Sequence, residues 1–432
     1  MSETQPNIVL VTVDSLRADH CGYVDPESDL TPEIDRLAAD GTAFRQAVAP
    51  GPRTPSSVPV TFTGEFLRPE ADWSISDWRG RQQRIARHMA RHSSVSETLQ
   101  RQGYDTAAVT ANPWTTRESN FDAGFDDFTE VSAASDDISS LSLSDSSLFR
   151  ATDTVVSRLP ADPGGWSEKK EWFAQWPGYY DHIRSRLDAL EEPFFLWVFL
   201  LDSHQPYITP RRYREETSAL EMYYAVARYW HGATSDEQLP DHAREVIQRS
   251  YRDAVRSVDS FVGRLRADVD PYDPAVVFHA DHGEALGDHG NFGHPQALYE
   301  ENLRVPFIVN DRDHSTAVDE QVTIKSLPSI LGDLSAREFL PDEYTASTVL
   351  SQTEGGGKRA VRTPDWKYVA GDGDRRLHDL RGGAEETADV SDEFGDVVES
   401  LAPLVDRHDF TQTERSEIDT AAARVATATD RE

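Results

Sequence analysis

Three apolar runs in this chain end on residues that bind metals or move protons, and that pattern restricts the fold more than any other feature. Asn7-Ile-Val-Leu-Val-Thr-Val13 is β-branched and apolar and stops at Asp14. Phe194 to Leu201 (Phe-Phe-Leu-Trp-Val-Phe-Leu-Leu) stops at Asp202-Ser203-His204. Ala275-Val-Val-Phe-His279 leads into Asp281-His282-Gly283, followed by Asp288-His289-Gly290 and Phe292-Gly293-His294. Continuous apolar runs of this length are the pattern of strands buried on both faces of a sheet. In open α/β sheets, ligands bind in the crevice beyond the carboxyl ends of the strands. A strand-end Asp or a loop His taken singly has an ordinary structural explanation. Their occurrence at three strand ends predicts a metal site at one edge of a parallel sheet.

A fourth segment, Ala49-Pro-Gly-Pro-Arg-Thr-Pro-Ser-Ser57, is a turn-rich loop leading into Val58 to Phe62 and Gly64. Proline is tolerated in a first helical turn and Gly64 can cap the far end. The Thr54 hydroxyl then lies at a helix N-terminus, where free amides and the dipole favour an anion. Elsewhere, Thr31-Pro32 starts a short helix that Gly41 ends, and Val95 to Gln102 reads as a helix before a strand at Thr106 to Thr110. Val246, Tyr251, Val255, Val258, Phe261, Val262 and Leu265 recur at helical spacing within 243–266, and Val305 to Val309 is a further strand.

In order along the chain, these segments resemble the sulfatase family of the alkaline phosphatase superfamily. Asn7 to Asp19 is similar to the family's opening metal-binding strand, and Leu30 to Phe44 to the helix that follows. Thr54 to Gly64 has the length and the Thr-Gly ending of the nucleophile segment. Leu201-Asp-Ser-His-Gln-Pro-Tyr207 resembles the active-site His loop, and Asp281 to Gly290 the second metal loop. Trp366-Lys-Tyr368 and Leu377-His-Asp-Leu380 are similar to a small C-terminal sheet. The resemblance implies an alkaline-phosphatase-like α/β fold: a mostly parallel central sheet flanked by helices, with a small C-terminal α+β subdomain. The expected organisation is a catalytic domain over 1–343, a subdomain over 344–410, and a frayed or disordered tail over 411–432. Within the first, 132–148 is a polar insertion, and 161–235 is an insertion around one core strand that could form a lid.

The departures narrow the chemistry. The family places a Cys or Ser, oxidised to formylglycine, where this chain has Thr54. Threonine cannot be converted, because its β-carbon already carries a methyl group. The family Arg that steadies the nucleophile falls at Val58, the sulfate-holding Lys is replaced by His294, and the second Asp of an Asp-Asp pair is Ser15. A Thr nucleophile resembles the phosphodiesterase and phosphotransferase branches of the superfamily. By this resemblance, Asp14, Asp281 and His282 hold a divalent metal (Zn, Mn, Ca or Mg) that activates Thr54, and His204 serves the leaving group. Asp202 and His294 then bind the substrate anion or a second ion. The expected activity is a metal-dependent hydrolase of a phosphate or sulfate ester, with phosphomonoesterase, phosphodiesterase or phosphotransferase chemistry preferred. The alternatives are a catalytically degenerate protein that binds anionic glycans and a sulfuric ester hydrolase working without formylglycine. The remaining polar strand-end residues read as structural: His279 as core, Asp19 and His20 as loop organisers, Arg17 and Asn112 as loop supports.

Composition sets the surroundings. With 76 acidic against 43 basic residues the formal charge is −33, which disfavours phosphate-backbone binding and excludes nucleic acid as the expected partner. An anionic small-molecule, glycan or lipid ester is expected instead. Only Lys169, Lys170, Lys325, Lys358 and Lys367 are lysines. A lysine-poor, acid-rich surface suits a salt-filled cell interior, where screening relieves self-repulsion, and points to a halophilic archaeon. One cysteine excludes an intramolecular disulfide. No apolar run reaches membrane-spanning length, and residues 1–6 lack a basic and apolar leader, so a cytoplasmic location is expected.

Overall fold

Ile8–Val13 (β1) is buried along its whole length, as a strand with apolar side chains on both faces requires. The computed structural model describes residues 5–69, 73–131, 174–234, 239–371, 373–382 and 386–429. The first half continues with α1 (Pro32–Ala39), β2 (Thr42–Val48), α2 (Thr54–Thr63), α3 (Trp78–Arg91), α4 (Val95–Arg101), β3 (Asp105–Thr110), β4 (Asp127–Glu130), α5 (Trp176–Leu187) and β5 (Phe194–Leu200). Then come α6 (Ala219–Thr234), α7 (Asp241–Val269), β6 (Ala275–Ala280), β7 (Ala285–Leu286), β8 (Phe292–Gly293), α8 (Glu300–Leu303), β9 (Phe307–Asn310), β10 (Thr316–Thr323) and α9 (Leu327–Ala336). The chain ends with β11 (Val349–Gln352), β12 (Lys358–Arg362), β13 (Trp366–Gly371), β14 (Asp374–Asp379) and α10 (Gly395–Thr429).

Eight strands form the main sheet in the order β10-β2-β9-β6-β1-β5-β3-β4. Every pairing is parallel except the two made by β9. The three apolar runs, β6, β1 and β5, are therefore neighbours inside the sheet. Trp197 in the middle of β5 is fully buried, and its indole N–H donates to Thr12 Oγ1 at 3.0 Å, so its polar end is satisfied inside the core. Register then aligns the strand ends. Val13 is level with Leu200 on one side and Ala280 on the other, so Asp14 and Asp281 leave the ladder side by side. Thr12 and Thr110 both pair with Phe199, which sets Asn112 level with Asp14.

The helix expected around 243–266 is α7, whose buried face includes Val246, Tyr251, Val255, Val258, Phe261 and Leu265. The Tyr251 hydroxyl accepts from the Arg17 N–H at 2.9 Å and donates to the Ser15 carbonyl at 2.8 Å, so this helix pins the turn that follows β1. The small C-terminal sheet is antiparallel in the order β11-β12-β13-β14, with Leu401 and Val405 of α10 packed on Val361, Tyr368 and Leu377. One local expectation differs from the structure: Thr42 to Phe44, read with the preceding helix, begins β2. The strand expected at Val305 to Val309 is present as β9, antiparallel to its neighbours. Residues 411–429, read as a frayed helix or a disordered tail, continue α10. The polar segment 132–148, with Trp166 and Trp172, lies outside the described residues.

Candidate active site and metal centre

The turn after β1 is held in a conformation that side chains rarely adopt. Ser15 has φ +65°, a left-handed backbone that costs a non-glycine residue on the order of 1 kcal/mol or more. Surrounding bonds hold it there: the Ser15 N–H donates to Asp281 Oδ1 (3.3 Å) and its hydroxyl to Asp14 Oδ1 (2.7 Å). Thr54 is the first residue of α2, and Gly64 closes that helix at φ +72° with its N–H on the Val60 carbonyl. Phe62 anchors α2 to the sheet through Trp197, ring centroids 4.4 Å apart, and Ser57 Oγ donates to the Asp281 carbonyl at 2.6 Å. The loop before Thr54 is tied to the other sheet. Ser351 Oγ donates to the Ala49 carbonyl (2.7 Å) and the Gln352 N–H to the Pro50 carbonyl (2.8 Å). Beyond β6 the chain presses against α8, where a Cβ on Gly283 would fall 2.0 Å from the Glu301 carbonyl oxygen.

These supports bring Asp14, Thr54, Asp281, His282 and His294 together, all but His294 essentially sealed from solvent. His282 Nδ1 donates to the Gly283 carbonyl at 2.8 Å, which leaves Nε2 as the bare nitrogen of a neutral ring. Burial, with His294 alongside, lowers its pKa to about 3, so neutral is the resting form. That lone pair lies 3.5 Å from Asp14 Oδ1, 3.5 Å from Asp281 Oδ2 and 3.3 Å from Thr54 Oγ1. The Thr54 hydroxyl also lies 3.3 Å from Asp14 Oδ2, and one hydroxyl proton cannot serve so many acceptors. Asp281 Oδ2 is buried with no hydrogen-bond partner among the described residues. Burial, and next the Asp14 carboxylate, push Asp281 well above the usual carboxylate range. Converging oxygen and nitrogen lone pairs with an orphaned carboxylate oxygen are what a divalent cation of the Zn or Mn type neutralises. The residues present fit such an ion.

His294 joins from the loop after β8. Its Nε2 lies 2.8 Å from Ser15 Oγ and 2.6 Å from Glu284 Oε2, and its ring meets His282 edge-on at 4.7 Å. Asp14, His282 and His294 offer ligand atoms within 4.8 Å of one another. His204 stacks on His294 at 5.0 Å and gives its Nδ1 proton to the Gln205 carbonyl (2.6 Å). Asp202 is set apart from this group. It lies two residues past the end of β5, one further than Asp14 and Asp281 past theirs, and alternation along an extended chain turns it away. Its carboxylate accepts the Trp176 N–H at 3.1 Å and the Ser257 hydroxyl at 3.4 Å, and burial raises its pKa to about 7. It positions α5 and does not face the ion site.

Three residues near the site have no site role in the sequence reading, which gives Asn112 only a loop role. Asn112 donates from Nδ2 to Asp14 Oδ2 at 2.6 Å and sits 3.4 Å from Thr54 Oγ1, more than a loop support. Its signal is register, since it leaves β3 level with Asp14. Glu284 follows Asp281-His282-Gly283 directly; burial raises it to about 7, and it accepts the Tyr207 hydroxyl at 2.6 Å. Arg53 is the immediate neighbour of Thr54. His279 and Arg17, read as structural, are so placed: His279 is buried in the core 3.0 Å from Thr12 Oγ1, and Arg17 braces Asp19 (2.6 Å) and Asp288 (2.8 Å).

The sulfatase family model matches residues 6–332. An uncharacterized sulfatase, YidJ, of Escherichia coli (strain K12) is 24% identical over 367 residues, spanning 78% of this chain and 70% of the relative. The structure of a phosphonate monoester hydrolase of Agrobacterium radiobacter superposes with a TM-score of 0.69 at 17% identity, covering 94% of this chain and 96% of that one. A protein solved in complex with its substrate D-glucosamine-2-N,6-O-disulfate superposes with a TM-score of 0.66 at 14% identity, covering 95% and 98%.

Proposed function

The chain belongs to the sulfatase family of the alkaline phosphatase superfamily and is an ester hydrolase, and from that premise we propose that it cleaves a phosphate monoester or diester with Thr54 as nucleophile. The observation that carries this reading is the placement of Thr54 Oγ1, 3.3 Å from both Asp14 Oδ2 and His282 Nε2 at the first turn of α2. A divalent cation held by Asp14, Asp281 and His282 would lower the hydroxyl pKa and offset charge on the transferring group. The Thr54 proton passes to Asp14 Oδ2, its hydrogen-bond acceptor. The Thr54 oxygen then bonds to phosphorus as the bond to the leaving oxygen breaks, and that oxygen takes the electron pair and a proton from His204 Nε2. In the second half a water gives a proton to the now neutral His204 and attacks the phosphothreonine, and the departing Thr54 oxygen recovers its proton from Asp14. General acid–base help of this kind contributes on the order of 10²–10⁴ in rate. Asn112 holds Asp14 and Thr54 in mutual register throughout.

Phosphate is preferred over sulfate because threonine cannot become formylglycine. The leaving group is an anionic glycan, small molecule or lipid; a disulfated glucosamine is the substrate of one protein with this fold. The test is a panel of nitrophenyl phosphate, phosphodiester and sulfate esters in molar KCl, comparing wild type with Thr54→Ala. Turnover of the phosphate esters that disappears in the variant is expected; turnover that survives it removes Thr54 as nucleophile. Val58, in place of the family arginine, favours one second reading, a member that binds anionic glycans without turnover. A metal-loaded protein inactive on the whole panel would establish it.

A further inference from the structure

The register of the C-terminal sheet sorts its charges by face. Lys358, Gly371 and Asp374 stand level across β12, β13 and β14, as do Ala360, Val369 and Arg376, and then Arg362, Lys367 and His378. Residues level with one another share a face, so this side carries four cations, a histidine and one acid. The opposite side, with Val361, Tyr368 and Leu377, is apolar and packs on α10. In a chain with 76 acidic and 43 basic residues, a face so rich in cations is unexpected. It is turned toward the catalytic domain, because Arg362 and Lys367 both reach Glu300 at 3.0 Å. Glu300 and Glu386 balance those two cations, and the interface is closed there. Beyond them, a cavity of about 100 Å³ separates Ala297 to Tyr299 from Lys358, Val369, Arg376 and His378. Packed protein leaves few voids larger than a water molecule. A water needs roughly 10–15 Å³ of such space, so this cavity takes a group several waters in size. The acids at its edge are already engaged. Asp374 accepts from Arg376 Nε at 2.8 Å, and Glu386 holds Lys367 Nζ at 2.6 Å. Among the described residues, no ion pair reaches the Lys358 ammonium. His378 gives its Nδ1 proton to the Ala388 carbonyl at 3.0 Å, which leaves Nε2 able to accept.

We propose that this cavity is a second anion site, which takes a small phosphate-type oxyanion among Lys358, Arg376 and His378. None of the residues that line it belongs to the ion site around Asp14 and His282. Lys358 supplies a compact charge with three donors, and Arg376, held to Asp374 through Nε, adds the Nη donors of its fork. Phosphate oxygens take charge-assisted bonds from both, and the hydroxyl of hydrogenphosphate suits the His378 Nε2 lone pair. The partly enclosed setting strengthens this attraction relative to open surface. The volume limits the ligand to the oxyanion itself or one with a short substituent. Such a ligand touches two units at once. Tyr299 belongs to the catalytic domain, whereas Lys358 opens the strand paired with β11, which holds the loop before Thr54. Occupancy therefore favours the docked C-terminal sheet, whatever the role of Thr54.

The experiment compares wild type, Lys358→Met, Arg376→Gln, Val369→Phe and Lys325→Met as full chains, in KCl that keeps wild type folded and at fixed ionic strength. Inorganic phosphate is titrated by calorimetry, and the melting temperature is followed with and without it. Wild type should show a saturable phosphate component that raises the melting temperature. Lys358→Met should weaken that component by about tenfold or more, the effect of losing a hydrogen bond from a charged donor. Arg376→Gln, at an exposed position, should also weaken it, which keeps the site testable if Lys358→Met does not fold. Val369→Phe retains every charge but fills the space, and should remove the component. Lys325→Met deletes the same charge elsewhere and should leave it intact. The metal centre is unaltered in every variant, so phosphate held there cancels from the comparison. Wild-type affinity in Lys358→Met or in Val369→Phe, equal weakening by Lys325→Met, or no phosphate component in wild type would each overturn the proposal.

Discussion

Glu300 lies where the two sheets meet and is the centre of a buried charge cluster. Its carboxylate receives Arg362 Nε at 3.0 and 3.1 Å and Lys367 Nζ at 3.0 Å, while Lys367 also contacts Glu386 at 2.6 Å. Two cations and two carboxylates thus balance with almost no water. Burial pushes the Glu300 pKa up, but Lys367 and Arg362 outweigh it and hold the group at about 2, against 4.5 when unfolded. At 1.36 kcal/mol per unit, that difference corresponds to about 3 kcal/mol at pH 7. Breaking one partner of a buried ion pair costs about 3–5 kcal/mol, a similar figure reached independently. Glu300→Gln should therefore destabilise the protein by about 3 kcal/mol at pH 7. Because the folded pKa lies below the unfolded one, the contribution is complete above pH 4.5 and is lost as pH falls toward 2. The gap between variant and wild type should narrow correspondingly by pH 3. Urea unfolding in molar KCl, followed by tryptophan fluorescence, measures it. A loss below about 1 kcal/mol at pH 7, or a loss independent of pH, would refute the assignment of Glu300 as the hub of the cluster.

Asn112→Ala removes a hydrogen bond to a charged acceptor worth about 1.5–3 kcal/mol, so kcat/KM should fall about 10–100-fold with metal content unchanged; a wild-type rate would return Asn112 to a loop role. Chelation should lower the melting temperature by exposing the Asp14–Asp281 repulsion, and adding back an ion at about 100 times its Kd should restore about 2.7 kcal/mol. No shift with any of Zn, Mn, Ca or Mg sinks the metal site. Asp202 has a folded pKa of about 7, above its unfolded value of 3.8, so its contribution declines as pH rises between those limits. Asp202→Asn should then be more stable than wild type at pH 8, and an equal or lower stability would contradict the buried, partly protonated carboxylate. The net charge of −33 predicts that circular dichroism shows folding in molar KCl, where repulsion extends only about 3 Å, and unfolding at about 0.1 M, where it extends about 10 Å; a salt-indifferent spectrum would remove the halophilic inference.

What could be read from the sequence was what burial on both sides imposes. β1, β5 and β6 are legible because helices cover both faces, which leaves no polar alternation. Thr316–Thr323, the edge strand β10, is polar at its exposed positions and carries no comparable signal. α3 was unread for a different reason: Arg81 and Arg84 are buried on it, and only Glu354 and Trp114, far along the chain, make that burial tolerable. The strand at Val305 was visible, but its antiparallel direction is a tertiary choice. At the candidate site, residue types at strand ends pointed to Asp14, Asp281 and His282, whereas separating Asn112 from Asp202 required the register of β3 and β5 against β1. Glu284 and Arg53 were hidden beside residues with stronger claims.

The tie between β11 and the loop before Thr54 has a consequence for biosynthesis. Ser351 and Ala49 are 302 residues apart, so the loop that aims the nucleophile is completed by almost the last part of the sheet system to be made. At about 5–20 residues per second, translation leaves that gap open for roughly 15–60 s. During that interval Asp14 and Thr54 are already synthesised, but Asp281 and His282 arrive late and the clamp from β11 later still. On the proposed mechanism a nascent chain carries the Thr54 hydroxyl without the residues that would use it, and activity would begin only when the C-terminal sheet docks. A chain cut at residue 332, where the family match stops, would retain every proposed ion ligand and lack the part that holds the nucleophile loop in place.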